Sequence, residues 1–292
     1  MEDYGHIDPD FRAVAAKEAD DRIAFILQDR WIGHPRADEV LGRIRMAQQT
    51  YGRGRPLSLL IVGESGIGKT MIRTKYQRDQ RVTWQERTGV RRQPVLSFQM
   101  PPEPLEAKFF KAALDALDAP AENFSRTRTV QDSAVSLLRL VKVELLMVDE
   151  IQNVFAGTAR QQRLFLNNLR WLINELRLPI VVFGTVEALD VFGGDDQLQR
   201  RFQAVRMANW FDDLAGFKQF VVLMERTLPL RKSGELGTGD ALKVLLEASE
   251  GITSNLCRLI EDAAVAAIRD GDERVTVRLL REIVGRHHGA VA

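Results

Sequence analysis

The sequence predicts an α/β fold, a mostly parallel sheet covered on both faces by helices and followed by an all-helical C-terminal part, and three observations carry that prediction. Apolar runs of strand length at 59–62, 94–99, 144–148 and 178–185 alternate with segments whose apolar residues recur at helical spacing. Beyond about Met207 the alternation stops, and every periodic stretch is helical. The first run, Leu59-Leu60-Ile61-Val62, opens directly into Gly63-x-x-x-x-Gly68-Lys69-Thr70 and a helix-compatible segment, the strand, loop and helix order of a crossover unit. The expected organisation is an N-terminal helical extension over 1–50, a core over 51–209 and a helical subdomain over 210–292.

The totals exclude some classes. At 292 residues, 45% hydrophobic and 28% charged, the composition is that of a soluble globular chain with a sizeable core. The net charge of +1, from 41 basic and 40 acidic residues, does not announce a nucleic-acid binder, so local patches must carry any such case. The single cysteine, Cys257, excludes an internal disulfide and reads as a small core residue of a protein from a reducing compartment. Met1-Glu2-Asp3-Tyr4 has neither a basic nor an apolar leader, and no run approaches the length of a bilayer span. A cytoplasmic location is expected. The histidines, His6, His34, His287 and His288, are too scattered for a metal site.

In chain order, residues 10–30 carry Val14, Ile23, Phe25, Ile26 and Leu27 among charges, the pattern of an amphipathic helix. Trp31-Ile32-Gly33-His34-Pro35-Arg36 interrupts it, a helix over 37–49 follows, and Tyr51-Gly52-Arg53-Gly54-Arg55-Pro56 is a loop. After the glycine-rich loop a helix runs over 71–80. From Arg53 to Arg92 ten basic residues stand against three acids, either a solvated helix face or a surface for a phosphate backbone. Helices over 105–117 and 131–140 flank a polar stretch containing Arg126 and Arg128. A long helix over 160–177 precedes the last strand, Gly193-Gly194-Asp195-Asp196 reads as a turn, and helices over 212–227, 239–249, 253–270 and 275–285 complete the chain.

Two stretches carry chemistry. In the glycine-rich loop, Gly63, Gly66 and Gly68 allow successive N–H groups to turn toward the β- and γ-phosphates of a nucleotide, with the helix dipole behind them. Lys69 supplies charge, Thr70 places a hydroxyl on Mg²⁺, and Glu64, Ser65, Ile67 and Met71 complete the cradle. A glycine turn without a ligand leaves the lysine and threonine unexplained. The second stretch is Glu144-Leu145-Leu146-Met147-Val148-Asp149-Glu150, an apolar strand ending in two acids. There Asp149 would hold the Mg²⁺ hydration shell, and Glu150 would orient and deprotonate an attacking water. One acid alone could cap a helix, but the pair after such a strand, downstream of such a loop, is not a core feature.

The strand at 94–99 separates these two stretches in the chain, an order that resembles the additional-strand P-loop ATPases rather than nucleotide kinases; Glu150 would activate the very water a kinase must exclude. Further words resemble the AAA+ family. Ile32-Gly33-His34 looks like its adenine-side segment, and Thr185 stands where the family has a polar γ-phosphate sensor, although a strand-terminal threonine also caps helices. Arg200-Arg201-Phe202 looks like the arginine-finger box, which implies an active site completed by a neighbouring subunit. Gly251-Ile252-Thr253-Ser254-Asn255-Leu256-Cys257-Arg258 departs from the family by offering Ser254 where a lid arginine is usual.

Within AAA+, the chain most resembles the TniB/TnsC-type transposition regulators. The likeness lies in Trp31-Ile32-Gly33-His34-Pro35-Arg36, Asp149-Glu150-Ile151-Gln152-Asn153, Asn167-Asn168-Leu169-Arg170 with Asn174-Glu175-Leu176, Gly184-Thr185-Val186-Glu187-Ala188, and Asp196-Gln197-Leu198 leading to Arg201-Phe202. Gln152 stands where many relatives have His. The resemblance implies an AAA+ P-loop ATPase core with a helical lid, using ATP and Mg²⁺, that assembles as rings or filaments on duplex DNA. It also implies recruitment of a DDE-type transposase and a TniQ-type target-selection protein, without cutting DNA. Lys108, Arg126 and Arg128 fall in the regions that contact DNA in relatives. Other readings are a helicase loader, a secretion-linked ATPase, a P-loop phosphotransferase, and a nucleotide-gated scaffold that hardly hydrolyses ATP.

Overall fold

The apolar runs lie side by side in one sheet. In the computed structural model, which describes residues 4–84, 89, 91–119, 130–194 and 196–289, the strands are β1 (Ser58–Val62), the short β2 (Thr83–Trp84) and β3 (Arg91–Arg92), β4 (Val95–Gln99), β5 (Leu145–Asp149), β6 (Ile180–Gly184) and β7 (Phe202–Arg206). The helices are α1 (Arg12–Ala15), α2 (Ala19–Ile26), α3 (Pro35–Gln48), α4 (Lys69–Asp79), α5 (Glu106–Asp115), α6 (Val130–Leu140), α7 (Ala159–Leu176), α8 (Ala188–Gly193) and α9 (Asp196–Gln199). After β7 come α10 (Leu214–Glu225), α11 (Gly239–Ala248), α12 (Thr253–Arg269) and α13 (Val277–Gly289). The chain divides into two compact units, residues 39–64 with 69–207, and residues 1–38 with 65–68 and 208–292.

In the first unit the main sheet has the strand order β4-β5-β6-β1-β7, with every pairing within it parallel, while β2 and β3 form a separate antiparallel pair. Successive side chains of a strand point to opposite faces. Leu60, Val62, Leu96, Phe98, Leu146, Val148, Ile180 and Val182 point one way and pack with Phe109, Phe110, Leu138, Phe165 and Leu169 from α5, α6 and α7. Leu59, Ile61, Val95, Leu145, Met147, Val181 and Phe183 point the other way and are equally buried, and α4 runs against β4, β5 and β6. Burial on both faces is why these strands read as continuous apolar runs rather than alternating ones.

Two features go beyond the sequence reading. No strand was expected at 202–206, yet β7 pairs with β1 from Ser58↔Phe202 to Val62↔Arg206; only Phe202 and Val205 of its five residues are buried, so an edge strand of this kind has little apolar signal. The expected helix over 10–30 is broken, because Glu18 takes an extended conformation ahead of α2. Leu27, counted on its apolar side, is exposed.

The second unit is helical. Ile26 of α2 joins Trp210, Phe217, Phe220, Met224, Leu245, Leu256, Ile260, Ala264 and Leu280 in one core. Arg22 ties α2 to the turn after α12: its two terminal nitrogens donate to the two carboxylate oxygens of Glu273 at 2.7 and 2.8 Å, and Nη1 also reaches the Pro229 carbonyl at 3.1 Å. Cys257 packs against this core, and burial pushes its thiol up to about 12. Among the described residues no helix is long and apolar enough to cross a membrane.

Candidate functional site

In a parallel sheet all strands end on one edge, and the loops leaving that edge gather residues distant in sequence. β1 leaves it through residues 63–68 into α4, with Gly63 N–H donating to the Gly184 carbonyl at the end of β6 at 3.2 Å. Gly66 and Gly68 have φ of 75° and 107°, a region that side-chain-bearing residues seldom adopt. Lys69, the first residue of α4, is 8% exposed. Its Nζ donates to the carbonyls of Gly63 and Glu64, both at 2.8 Å, and burial above all pulls its pKa below the ordinary lysine value, against the raising pull of Asp149 and other carboxylates. The loop therefore holds a largely desolvated cation on neutral oxygens.

Thr70 Oγ1 donates to Asp149 Oδ2 at 2.9 Å, so the two residues expected to serve Mg²⁺ are brought together. Asp149 is fully buried. Its Oδ1 accepts the Glu150 N–H at 3.0 Å, and its Oδ2 also accepts Arg73 Nε at 3.0 Å. Glu150 has φ 56° and ψ 40°, a left-handed conformation that a non-glycine residue adopts at a cost and that clusters at functional sites. Its carboxylate accepts a hydrogen bond from Gln152 Nε2, while Gln152 Oε1 accepts the Thr185 N–H at 3.3 Å. Gln152 thus joins Glu150 to Thr185. The approach needs Gly184, where a Cβ would stand 2.6 Å from Ile151 Cγ2 and 3.0 Å from Gln152 Oε1. The Thr185 hydroxyl bonds the Glu187 carboxylate and, more than any other influence, draws that carboxyl below its ordinary range.

Arg200 and Arg201 lie elsewhere. They precede β7, and Arg201 O accepts the N–H of Ser58, the first residue of β1. At about 3.3 Å per strand residue, the five residues of β1 separate them from the loop by roughly 15 Å along the sheet. Arg200 is exposed and Arg201 half-buried, with Arg201 Nη1 buried without a hydrogen-bond partner.

A family model described as bacterial TniB protein matches residues 22–212. The chain belongs to the TniB family. No curated protein matches the sequence of this TniB-family chain. Among solved structures it is similar to the Aeropyrum pernix ORC1 protein in complex with DNA, at 15% identity and TM-score 0.61, over 90% of this chain and 69% of that one. The Aeropyrum pernix ORC2 protein, in ADPNP-ADP complexes, matches at 15% identity and TM-score 0.60, over 89% and 70%. Drosophila ORC bound to DNA matches at 12% identity and TM-score 0.56, over 92% of this chain and 66% of that one. At such identities the likeness is one of fold alone: a five-stranded parallel sheet flanked by helices, with further helices at the C-terminal end.

The remaining expected residues of this TniB-family chain fall in the helical unit or on the surface. Ile32 packs at the edge of the helical core, Gly33 is exposed, and the His34 ring lies edge-on to Phe220 with centroids 5.2 Å apart and 5.6 Å from Trp210. Burial, aided by the charge of Arg36, lowers the His34 pKa to about 4. Arg36 itself lies 4.0 Å over the Trp210 ring and 3.2 Å from Asp213. Ser254, at the lid-arginine position, bears on the glycine-rich loop: its N–H donates to Gly66 O at 2.9 Å, and Thr253 Oγ1 donates to Ile67 O at 3.2 Å. Arg258 is exposed. Lys108 is exposed and paired with Glu103 at 2.7 Å, while Arg126 and Arg128 lie outside the described residues. Arg73 was missed as a site residue. Its place one turn after Thr70 on a helix facing the sheet is the signal that could have found it.

Proposed function

We propose that this TniB-family protein is an ATP-dependent DNA-binding regulator of transposition that assembles on duplex DNA and recruits or activates a DDE-type transposase, with a TniQ-type protein as a further partner. The observation that carries the ATP reading is the Thr70–Asp149 hydrogen bond, which links the loop helix to the end of a strand 79 residues away, beside a buried lysine held by neutral carbonyls. Residues 63–71 would cradle the triphosphate and Lys69 would sit on its β- and γ-oxygens. Thr70 and Asp149 would hold Mg²⁺, which when bound neutralises charge shared by those phosphates. Glu150 would take the proton of the attacking water, with Gln152 and Thr185 keeping its carboxylate in place. Ile32, Gly33 and His34 would form the adenine side.

Arg200 and Arg201, set off from their own loop, would serve the loop of a neighbouring copy and stabilise transition-state charge there. The DNA reading rests on family membership and is supported by structural neighbours that are themselves bound to DNA. Lys108, Arg126 and Arg128 would contact the backbone, so affinity should fall steeply with salt. Cys257, a lone, partly buried thiol, supports a cytoplasmic location.

The test is sedimentation with duplex DNA in ATP, ADP or no nucleotide, comparing the wild type with Glu150→Gln and Lys69→Ala. Large DNA-bound assemblies are expected only with ATP, persisting in Glu150→Gln and absent in Lys69→Ala. A monomer indifferent to DNA in every nucleotide state would sink the reading, and turnover measured with and without DNA distinguishes a working ATPase from a scaffold.

A further inference from the structure

Arg73 occupies a place that the proposed hydrolysis does not account for. Its side chain is 15% exposed and that of Asp149 is 1% exposed. Arg73 Nε shares Asp149 Oδ2 with Thr70 Oγ1, at 3.0 and 2.9 Å, while Arg73 Nη1 donates to Ser97 Oγ at 2.6 Å. The sheet explains why one side chain reaches both partners. Ser97 pairs in register with Met147, two residues before Asp149, so Ser97 and Asp149 point to the face along which α4 runs.

A buried carboxylate with no counter-charge is strongly destabilising, and the guanidinium supplies that charge without any metal. The same oxygen, however, is one that a divalent cation held by Thr70 and Asp149 would claim. A positive charge fixed in contact with that oxygen repels an arriving dication, and Ser97 restrains the guanidinium from swinging aside. The contact uses two nitrogens of one planar fork, whereas a lysine would have to reach both partners from a single nitrogen.

We infer that Arg73 is a positioning residue that acts as a built-in counter-cation to Asp149: it holds the carboxylate against Thr70 in the metal-free protein and sets the Mg²⁺ concentration at which the site loads. The inference rests on the proposed reading of Thr70 and Asp149 as the metal-holding pair.

The experiment titrates MgCl₂ against binding of a fluorescent ATP analogue to the full chain, with thermal melting in EDTA and in saturating Mg²⁺ alongside. Arg73→Gln is expected to reach half-maximal binding at about tenfold lower Mg²⁺ than the wild type. It should also melt earlier in EDTA and recover most of that loss when Mg²⁺ and nucleotide are added. Ser97→Ala, which frees the guanidinium but keeps its charge, should move the Mg²⁺ midpoint about twofold in the same direction. An unchanged or higher Mg²⁺ midpoint in Arg73→Gln, or equal losses of melting temperature with and without Mg²⁺, overturns the inference and leaves Arg73 a structural ion pair. If Arg73→Gln does not fold, the Ser97→Ala midpoint decides alone, a fall supporting the inference and no change overturning it. Wild-type nucleotide binding that is indifferent to Mg²⁺ would instead refute the reading of the site itself.

Discussion

Each unit of the molecule sets an arginine against a carboxylate, with at least one partner of each pair buried, and the two pairs are built differently. In the helical unit Arg22 meets Glu273 through two parallel hydrogen bonds, so both carboxylate oxygens are taken. In the sheet unit Arg73 meets Asp149 through one nitrogen, and that oxygen is shared with Thr70. The forked pair only fastens one segment to another. The single-handed pair leaves its carboxylate able to change partners, which suits the metal-holding role proposed for Thr70 and Asp149, and the cost of burying the charge is met meanwhile by the arginine.

Breaking the forked pair should have the largest effect. Arg22→Met leaves Glu273 with its carboxylate 13% exposed and without its partner, and a loss of about 3–5 kcal/mol is expected. Chemical denaturation measures it, and the loss should be independent of nucleotide and Mg²⁺; a loss that nucleotide repairs would erase the distinction between the two pairs.

A third, half-buried group sharpens the comparison, because at His34 burial and the charge of Arg36 outweigh the opposing pull of Asp38 and Asp213. His34 lies among Trp210 and Phe220 with a pKa lowered to about 4 from 6.5. The unfolded chain therefore binds a proton between those values while the folded chain does not. Stability should be flat above pH 6.5 and fall as the pH drops toward 4, by at most about 3 kcal/mol from this residue. Denaturant melts at pH 7 and pH 4.5 compare the wild type with His34→Phe, and an equal acid loss in both proteins would remove His34 as the cause.

The smallest effect is expected at the seat of Gln152. Gly184→Ala would push its new methyl against Ile151 and Gln152, at a cost of about 1–3 kcal/mol. Turnover should fall more than nucleotide affinity, since Gln152 holds Glu150 and not the loop. Equal losses in both would place the disturbance in the fold.

What the sequence disclosed follows from locality. β1, the glycine-rich loop and α4 are one continuous stretch, and β5 ends in Asp149 with Glu150 directly after it, so the loop and the acid pair could be read without knowing the sheet order. Arg73 could not be assigned in that way. Its partner is 76 residues away, and only the parallel register that sets Ser97 beside Met147 shows that α4 faces both Ser97 and Asp149. β7 escaped notice for a different reason: Phe202, Gln203, Ala204, Val205 and Arg206 bury only two side chains, and an edge strand with so little apolar surface does not stand out from a loop. Gln152 was visible as a departure from the family, but its link to Thr185 depends on Gly184 lacking a side chain.

The distance between the arginine pair and the loop of the same chain has a consequence for any assembly. If the arginines of one copy serve the loop of the next, the contact joins two unlike surfaces, and such contacts either close into a ring or continue as an open helix. An open helix of this kind is directional. Its first member would present a loop that no neighbour serves, its last member would present arginines with nothing to serve, and growth, shortening and capture by another protein could differ at the two termini of a single filament.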